Sequence, residues 1–399
     1  MNEDKKVAFL TAGGIAPCLS ASIGALIFAY TNINPETKFL GYLNGYRGLL
    51  LGNKIKIPSL NKHQTEILLS YGGSPLGNSR VKLTNVANCL KHGYIKNSED
   101  PIAVAAKQLI KDGISILHTI GGDDTNTMAG ELEKYIKQAG HDLVVVGLPK
   151  TVDNDVYPIA QSLGAWTAAE QGALFFENIA NENTTSTRQL IVHEVMGRNC
   201  GWLTAATAAE YRNRLLKKEF LPELMIFREK WDIDAVYIPE MNFALSKEIK
   251  RLKNRMDQKD GVNIFLSEGA GIKEIVSEME ASREDIPRDA FGHIKLDLIN
   301  PGQWFAKKLS KELEADKVLV QKSGYFARSA APSKRDLDLI IKSAELAVQS
   351  GLDGKSGVVG LDDNNNEILS LIEFDRVKGG KPFNINQPWF VDLLREIGQ

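Results

Sequence analysis

Cysteine is scarce. Cys18, Cys89 and Cys200 are the only three in 399 residues; an odd count without paired ligand spacing excludes a disulfide framework and a cysteine zinc site, and fits a reducing compartment. Also missing is any run of about 18 apolar residues, the length that spans a bilayer. The opening "MNEDKKVAFLTAGG" has too short an apolar stretch for a secretory leader, so we expect a cytoplasmic protein with no membrane partner. Nor is charge of one sign in excess. With 48 Lys and Arg against 50 Asp and Glu, no basic surplus points to nucleic acid. Tandem repeats, low-complexity stretches and Pro/Ser-rich linkers are absent too, so domain boundaries carry no compositional mark.

What the chain has is alternation. Short buried-type runs, "VAFLT" (7–11), "KFLGYL" (38–43), "ISILHTI" (114–120), "LVVVGLP" (143–149), "RQLIVHEV" (188–195), "AVYIP" (235–239), "VNIFLSE" (262–268), "KVLVQ" (317–321) and "GVVGL" (357–361), predict strands. Between them, "AVAAKQLIKDG", "TMAGELEKYIKQAG", "AAEQGALFFENIA" and "LDLIIKSAELAVQSG" space apolar residues by three and four, as helices do. The pattern predicts an α/β protein of βαβ units with mainly parallel sheets covered on both faces. At about 100–200 residues per domain the length suggests two core-forming units. Regularity lapses near "YPIAQSLGAW" (157–166), the expected break.

Three turns at strand ends carry the chemistry, because ligands of open α/β folds gather there. Gly13 and Gly14 stand between the first strand and a helix, where amides without a neighbouring Cβ can meet an oxyanion. The turn matches neither G-x-G-x-x-G nor the P-loop pattern, which argues against a dinucleotide-dependent oxidoreductase. "QSGLDGKSG" only imitates a P-loop: Gln349 occupies its first glycine position and it follows a helix, so we expect a helix-ending turn.

The second turn, "GGDDTNTMAG", sets Asp123 beside Asp124. The third, "GLPKTVDNDVYP", sets Lys150, Asp153 and Asp155 on one loop. Either alone also describes a solvated acidic loop. Together, after buried runs and near a glycine turn, they suit Mg²⁺, which takes one or two carboxylates plus phosphate oxygens and water. Phosphoryl transfer needs a base and a cation; Asp153 or Asp155 qualifies for the first and Lys150 for the second.

"GGDDT", "PKTVDND", "VMGRNCGWL" (195–203), "SEGA" (267–270) and "GYFAR" (324–328), in this order, resemble the phosphofructokinases. The likeness runs from "LTAGGIAPCLSASI" to about residue 340. It implies two Rossmann-like three-layer lobes with the active site in the cleft between them. Residues 1–160 would form the phosphoryl-donor lobe, completed by about 327–375, and 161–326 the sugar-phosphate lobe, with 376–399 returning to it.

By motif, the resemblance assigns Gly13 a backbone N–H to the donor, Arg80 a contact to donor phosphate and Asp123 the Mg²⁺. Thr151 and Asp153 would bind the sugar phosphate, with Asp153 as base on the 1-hydroxyl. Met196, Gly197, Arg198 and Glu268 would hold the sugar, and Arg328 its 6-phosphate, for which a guanidinium fork is suited. Tyr325 stands where ATP users have histidine. Met196 as plain core, Arg80, Arg198, Glu268 and Arg328 as surface charges, and Tyr325 as a packed aromatic are the competing structural roles. His193, inside an apolar strand pattern, is expected to be a satisfied half-buried histidine without catalytic duty.

Departures from the family pattern are specific. Ile15 replaces an aspartate, and Cys18-Leu19-Ser20 replaces Gly-x-Asn. Arg188 lies one position too far from Met196 for the subunit-crossing arginine, and Lys322 is the basic residue near the second crossing position.

Donor choice follows from Asp124 and Lys150. ATP users have glycine at the first and typically at the second; aspartate fills the space an α-phosphate would use and adds like charge, while lysine offers a compact cation to the leaving phosphate. The pair is similar to that of the pyrophosphate-dependent branch. The expected reaction is Mg²⁺-dependent, reversible transfer from pyrophosphate to fructose 6-phosphate by a homodimer or homotetramer. The rivals are an ATP-dependent 6-phosphofructokinase and a non-catalytic regulatory subunit. A longer ketose phosphate such as sedoheptulose 7-phosphate would use the same anchors.

Overall fold

A computed structural model describes residues 5–283, 285–287 and 296–399. Its strands are β1 (Lys6–Thr11), β2 (Lys38–Tyr42), β3 (Lys54–Ile57), β4 (Ile116–Gly121), β5 (Val144–Pro149), β6 (Gln189–Val195), β7 (Ala235–Tyr237), β8 (Gly261–Ser267), β9 (Lys317–Lys322), β10 (Gly357–Asp362) and β11 (Ile368–Ile372). Contacts divide the chain into two compact units, Met1–Thr167 with Arg328–Lys381, and Ala168–Ala327 with Pro382–Gln399.

The first unit is built on one seven-stranded sheet ordered β11-β10-β5-β4-β1-β2-β3. Its inner strands pair parallel, and the edge strands β3 and β11 pair antiparallel with β2 and β10. Helices Leu19–Ile33, Pro101–Asp112, Asp123–Gln138 and Lys334–Leu352 supply its cover. That is why β1, β4 and β5 are apolar almost throughout: strands covered on both faces have no polar side to show. Ala8, Leu10, Tyr42, Leu117, Leu132 and Val145 pack into one core here.

Sequence order reverses between β1 and β4, since β1 leads on to β2 on one side and β4 to β5 on the other. This is the switch point at which loops diverge and leave a crevice at the carboxyl ends of the strands. Register brings those ends level, with Thr11 beside Ile120 and Gly121 beside Pro149. The three turns singled out by sequence therefore leave the same end of three adjacent strands.

A four-stranded, all-parallel sheet ordered β7-β8-β6-β9 organises the second unit. All seven residues of β6 and of β8 are buried, and Leu190, Val192, Ile264, Leu266, Phe305 and Leu309 form its core. Val195 pairs with Ser267 and Glu194 with Lys322, so the loops after β6, β8 and β9 also emerge side by side.

β3 and β11 were not expected from sequence. "KIKI" is half lysine and short, and "ILSLI" follows a polar run, so neither carries the buried-strand signal of the interior. Residues 376–381, expected to go with the second lobe, bond instead to the first. Tyr157 and Lys378 exchange backbone hydrogen bonds of 2.8 and 2.9 Å, and Lys381 N–H donates to Asp155 O at 2.9 Å. After Leu352, Gly354 takes a left-handed φ of 75°, the helix-ending turn expected in place of a P-loop. Among the described residues no helix is long and apolar enough to cross a membrane, and the three cysteines are buried.

Candidate active site

The turn after β1 is shaped by Gly13, whose φ of 85° is left-handed and disfavours any side chain. A Cβ there would also stand 3.2 Å from Lys150 Nζ. Lys150 is only 5% exposed, and its ammonium donates to Gly14 O at 2.5 Å. The backbone N–H of Lys150 bonds Gly121 O at 2.8 Å, so this loop is fastened to the neighbouring turn at its first residue. Burial pulls the Lys150 pKa down to about 8, with Arg80 pulling the same way and Cys18, Asp153 and Asp155 opposing. Arg80 is exposed and adjoins the turn: a Cβ on Gly14 would lie 4.0 Å from its Nη2.

Gly13 differs from expectation in one respect. Its N–H, assigned by the resemblance to the donor, donates to Ser79 O at 2.9 Å. That amide is engaged inside the chain because the 78–80 loop folds back on the turn, where Asn78 Nδ2 also bonds Gly14 O at 3.2 Å.

Asp123 and Asp124 open the helix Asp123–Gln138, where the N-terminal dipole favours negative charge. The structure gives the two acids different neighbours. Asp124 is exposed and ion-paired with Lys82 at 2.5 Å. Lys82 was missed in the sequence, yet its signal is there: Arg80 and Lys82 are exposed and alternate with buried Val81 and Leu83, so both basic residues share the outer side. Asp123 is half-buried. A Cβ placed on Gly379 would sit 1.8 Å from its Oδ2, so the glycine backbone lies directly against the carboxylate.

Burial alternates along the third loop. Val152, Asn154 and Val156 point inward, leaving Thr151, Asp153 and Asp155 half-buried. Asn154, at a left-handed φ of 56°, fixes the turn by donating to Ala160 O at 3.0 Å and accepting from Ser162 N at 2.7 Å. Thr151 Oγ1 accepts from Asp153 N at 3.1 Å and donates to Asp155 Oδ1 at 3.1 Å. Burial raises the Asp155 pKa, the Thr151 hydroxyl lowers it, and the nearby Asp123 charge raises it again.

That last effect is the test for a metal. Two carboxylates that disfavour each other's charge are relieved by a divalent cation between them. Among the described residues no cluster of three or more His, Cys, Asp or Glu converges; Mg²⁺ takes one or two carboxylates and completes its shell with phosphate oxygens and water. Asp123 and Asp155 fit such an ion.

In the second unit the three loop ends converge closely. A Cβ on Gly269 would lie 1.8 Å from Arg198 O, and one on Gly324 would lie 2.9 Å from Met196 Cγ. Gly197, at a left-handed φ of 132°, accepts from the Ser267 hydroxyl at its carbonyl, and Glu268 N–H donates to Val195 O at 2.9 Å. Met196 and Glu268 are thereby half-buried and Arg198 exposed. Tyr325 is 79% exposed, which excludes the packed-aromatic role. Arg328, half-buried, ends the helix Gly324–Arg328 and belongs to the first unit.

Arg188 has no spare reach. Its guanidinium bonds Glu314 O at 2.7 Å, Asp257 at 2.8 Å and Leu313 O at 2.5 Å. Lys322 pairs with Glu194 at 2.7 Å. His193 is fully buried, not half-buried; Nε2 bonds Ser323 Oγ at 2.8 Å, while Nδ1 has no hydrogen-bond partner among the described residues. Burial holds its pKa near 3, so the ring is neutral.

A buried ammonium on a glycine turn, paired carboxylates beside it and basic residues on further strand-end loops are the equipment of an α/β phosphoryl-transfer protein. The phosphofructokinase family model matches residues 6–350, and the chain belongs to that family. It is 56% identical over 399 residues to the pyrophosphate–fructose 6-phosphate 1-phosphotransferase of Methylomonas methanica, a match covering 100% of this chain and 98% of that one. The protein of the same name from Propionibacterium freudenreichii subsp. shermanii is 51% identical over 395 residues, covering 99% and 98%. A solved structure of the pyrophosphate-dependent phosphofructokinase from Nitrosospira multiformis superposes with a TM-score of 0.72 at 18% identity, over 99% of this chain and 91% of that one. At that identity the superposition speaks for the fold.

Proposed function

We propose that the chain transfers a phosphoryl group reversibly between pyrophosphate and the 1-hydroxyl of fructose 6-phosphate, giving fructose 1,6-bisphosphate and phosphate. The observation that carries the donor assignment is the Lys150 ammonium, 5% exposed and fixed on Gly14 O. A cation held this way has its position set before the anion arrives, so no reorganisation is required as charge builds on the leaving phosphate.

The other roles follow from what each side chain offers. Arg80 and Lys150 bind donor phosphate. Asp153, whose loop is braced through Thr151, takes the proton of the 1-hydroxyl and returns it in the reverse direction. Met196, Gly197, Arg198, Glu268 and Tyr325 hold the sugar, and Arg328 forks onto the 6-phosphate. Asp123 with Asp155 would hold Mg²⁺, which would supply charge neutralisation for the phosphate oxygens. Asp124 occupies the space beside the donor turn that a nucleotide would need.

Purified protein supplied with fructose 6-phosphate, Mg²⁺ and either pyrophosphate or ATP decides the donor. Turnover with pyrophosphate and little with ATP is expected; the opposite result ends the assignment. The resemblance also carries a homodimer or homotetramer, which sedimentation equilibrium reads directly.

A further inference from the structure

The chain returns to the donor-side sheet by β10 and β11 and then runs along the helix Asp123–Gln138 towards its first residue. Three contacts mark the path. Asp375 pairs with Lys134 at 2.6 Å. Phe374 lies against Gly130, where a Cβ would come within 2.8 Å of the ring. Gly379 then meets Asp123, with an added Cβ 1.8 Å from Oδ2 and 2.5 Å from Cγ. Lys134, Gly130 and Asp123 are spaced by about whole helical turns, so one face of the helix is followed to its N-terminus.

The same segment is tied to the second carboxylate. Tyr157 and Lys378 pair in both directions at 2.8 and 2.9 Å, and Lys381 N–H bonds Asp155 O at 2.9 Å. Lys381 Nζ adds bonds to Ile159 O at 2.8 Å and to Asp363 Oδ2 at 2.6 Å. Five residues, 377–381, thus touch one acid through a glycine backbone and hold the main chain of the other.

We infer that Val377–Lys381 is a strap that sets the spacing of the Asp123 and Asp155 carboxylates, and that Gly379 is a positioning residue for the divalent cation they bind. Gly379 is not among the residues at left-handed φ, so glycine is required there for close approach and not for backbone conformation. Gly380 is the converse: its φ is 78° and nothing lies within 4 Å of an added Cβ. The two adjacent glycines therefore separate proximity to Asp123 from strap conformation. This inference rests on Asp123 being the metal-side carboxylate.

The experiment compares full-length Gly379→Ala, Gly380→Asn, Lys381→Met and Asp123→Asn. Mn²⁺ binding in the presence of pyrophosphate is followed by electron paramagnetic resonance, alongside the Mg²⁺ concentration for half-maximal turnover. Gly379→Ala is expected to weaken both by about tenfold or more, with the KM for fructose 6-phosphate unmoved, because its methyl displaces the carboxylate. Gly380→Asn, which tolerates left-handed φ, is expected to leave Mn²⁺ binding as in the parent. Should Gly379→Ala fail to fold, Lys381→Met, which slackens the strap without a clash, carries the test: a several-fold weakening supports the inference and unchanged binding overturns it. Normal Mn²⁺ binding in a folded Gly379→Ala while Asp123→Asn loses it sinks the strap alone. Normal binding in Asp123→Asn removes the metal reading itself.

Discussion

Lys82 Nζ lies 2.5 Å from Asp124 Oδ2, and both side chains are about half exposed. An aspartate at position 124 has two means of excluding a nucleotide, bulk and like charge. A partner ammonium at contact distance cancels much of the second. Bulk is then the main obstacle, and the two effects separate by substitution. Asp124→Gly is expected to raise ATP turnover at least tenfold, about 1.4 kcal/mol in the barrier, whereas Asp124→Asn, which keeps the volume, leaves ATP excluded. Steady-state rates with each donor check this; equal gains in both variants would show that charge was the barrier.

Lys150 makes a pH prediction. Burial lowers its pKa from 10.5 to about 8, so the ammonium proposed to meet the leaving phosphate loses its proton as pH rises through that value. The kcat/KM for pyrophosphate, which reports the free enzyme, should fall above about pH 8. Lys150→Gly should cut turnover more than tenfold and lose that alkaline limb. The stability effect has the opposite sign. Between about 8 and 10.5 the unfolded chain binds more protons than the folded one, so the Lys150 contribution to stability rises with pH across that window. Urea unfolding at pH 8 and pH 10, parent against variant, isolates it.

The interior strands and the three strand-end turns were legible because burial on both faces forces apolar runs and turns into helices call for glycine and caps. The edges were not: β3 carries lysines on an antiparallel rim, where no such force acts. In the candidate site, Lys150 and the acids stand out by residue type. Lys82 and Gly379 do not, since a lysine in "RVKLT" and a glycine in "VKGGK" become informative only when the fold brings Asp124 and Asp123 to them. Arg188, one position off the family's subunit-crossing arginine by sequence spacing, has its guanidinium spent on Leu313, Glu314 and Asp257.

Asp153 separates an enzyme from a binding-only relative of the same fold. Its N–H is held by Thr151 Oγ1 at 3.1 Å, an arrangement serine at this position leaves intact. Asp153→Ser should retain the parent's unfolding midpoint and lose about 10²–10⁴-fold in kcat, the range for a positioned general base, with the KM for pyrophosphate little changed. Turnover at the parent rate would move the proton transfer to another group, Asp155 being the neighbour to test next.

Asp336 is predicted to matter for stability and not for chemistry. It is fully buried and accepts from Gly164 N at 3.1 Å, Thr167 N at 2.7 Å and Thr167 Oγ1 at 2.6 Å. Those donors stand at the start of the helix Ala165–Ile179, whose first N–H groups have no partner within the helix. Burial raises the Asp336 pKa and the Thr167 and Gly164 hydrogen bonds pull it back. Asp336→Ala strands three buried donors at once and should cost about 3 kcal/mol. Asp336→Asn, which keeps one acceptor oxygen, should cost roughly half as much. Urea unfolding at neutral pH measures both, and if alanine proves no worse than asparagine the helix start is held by something other than this carboxylate.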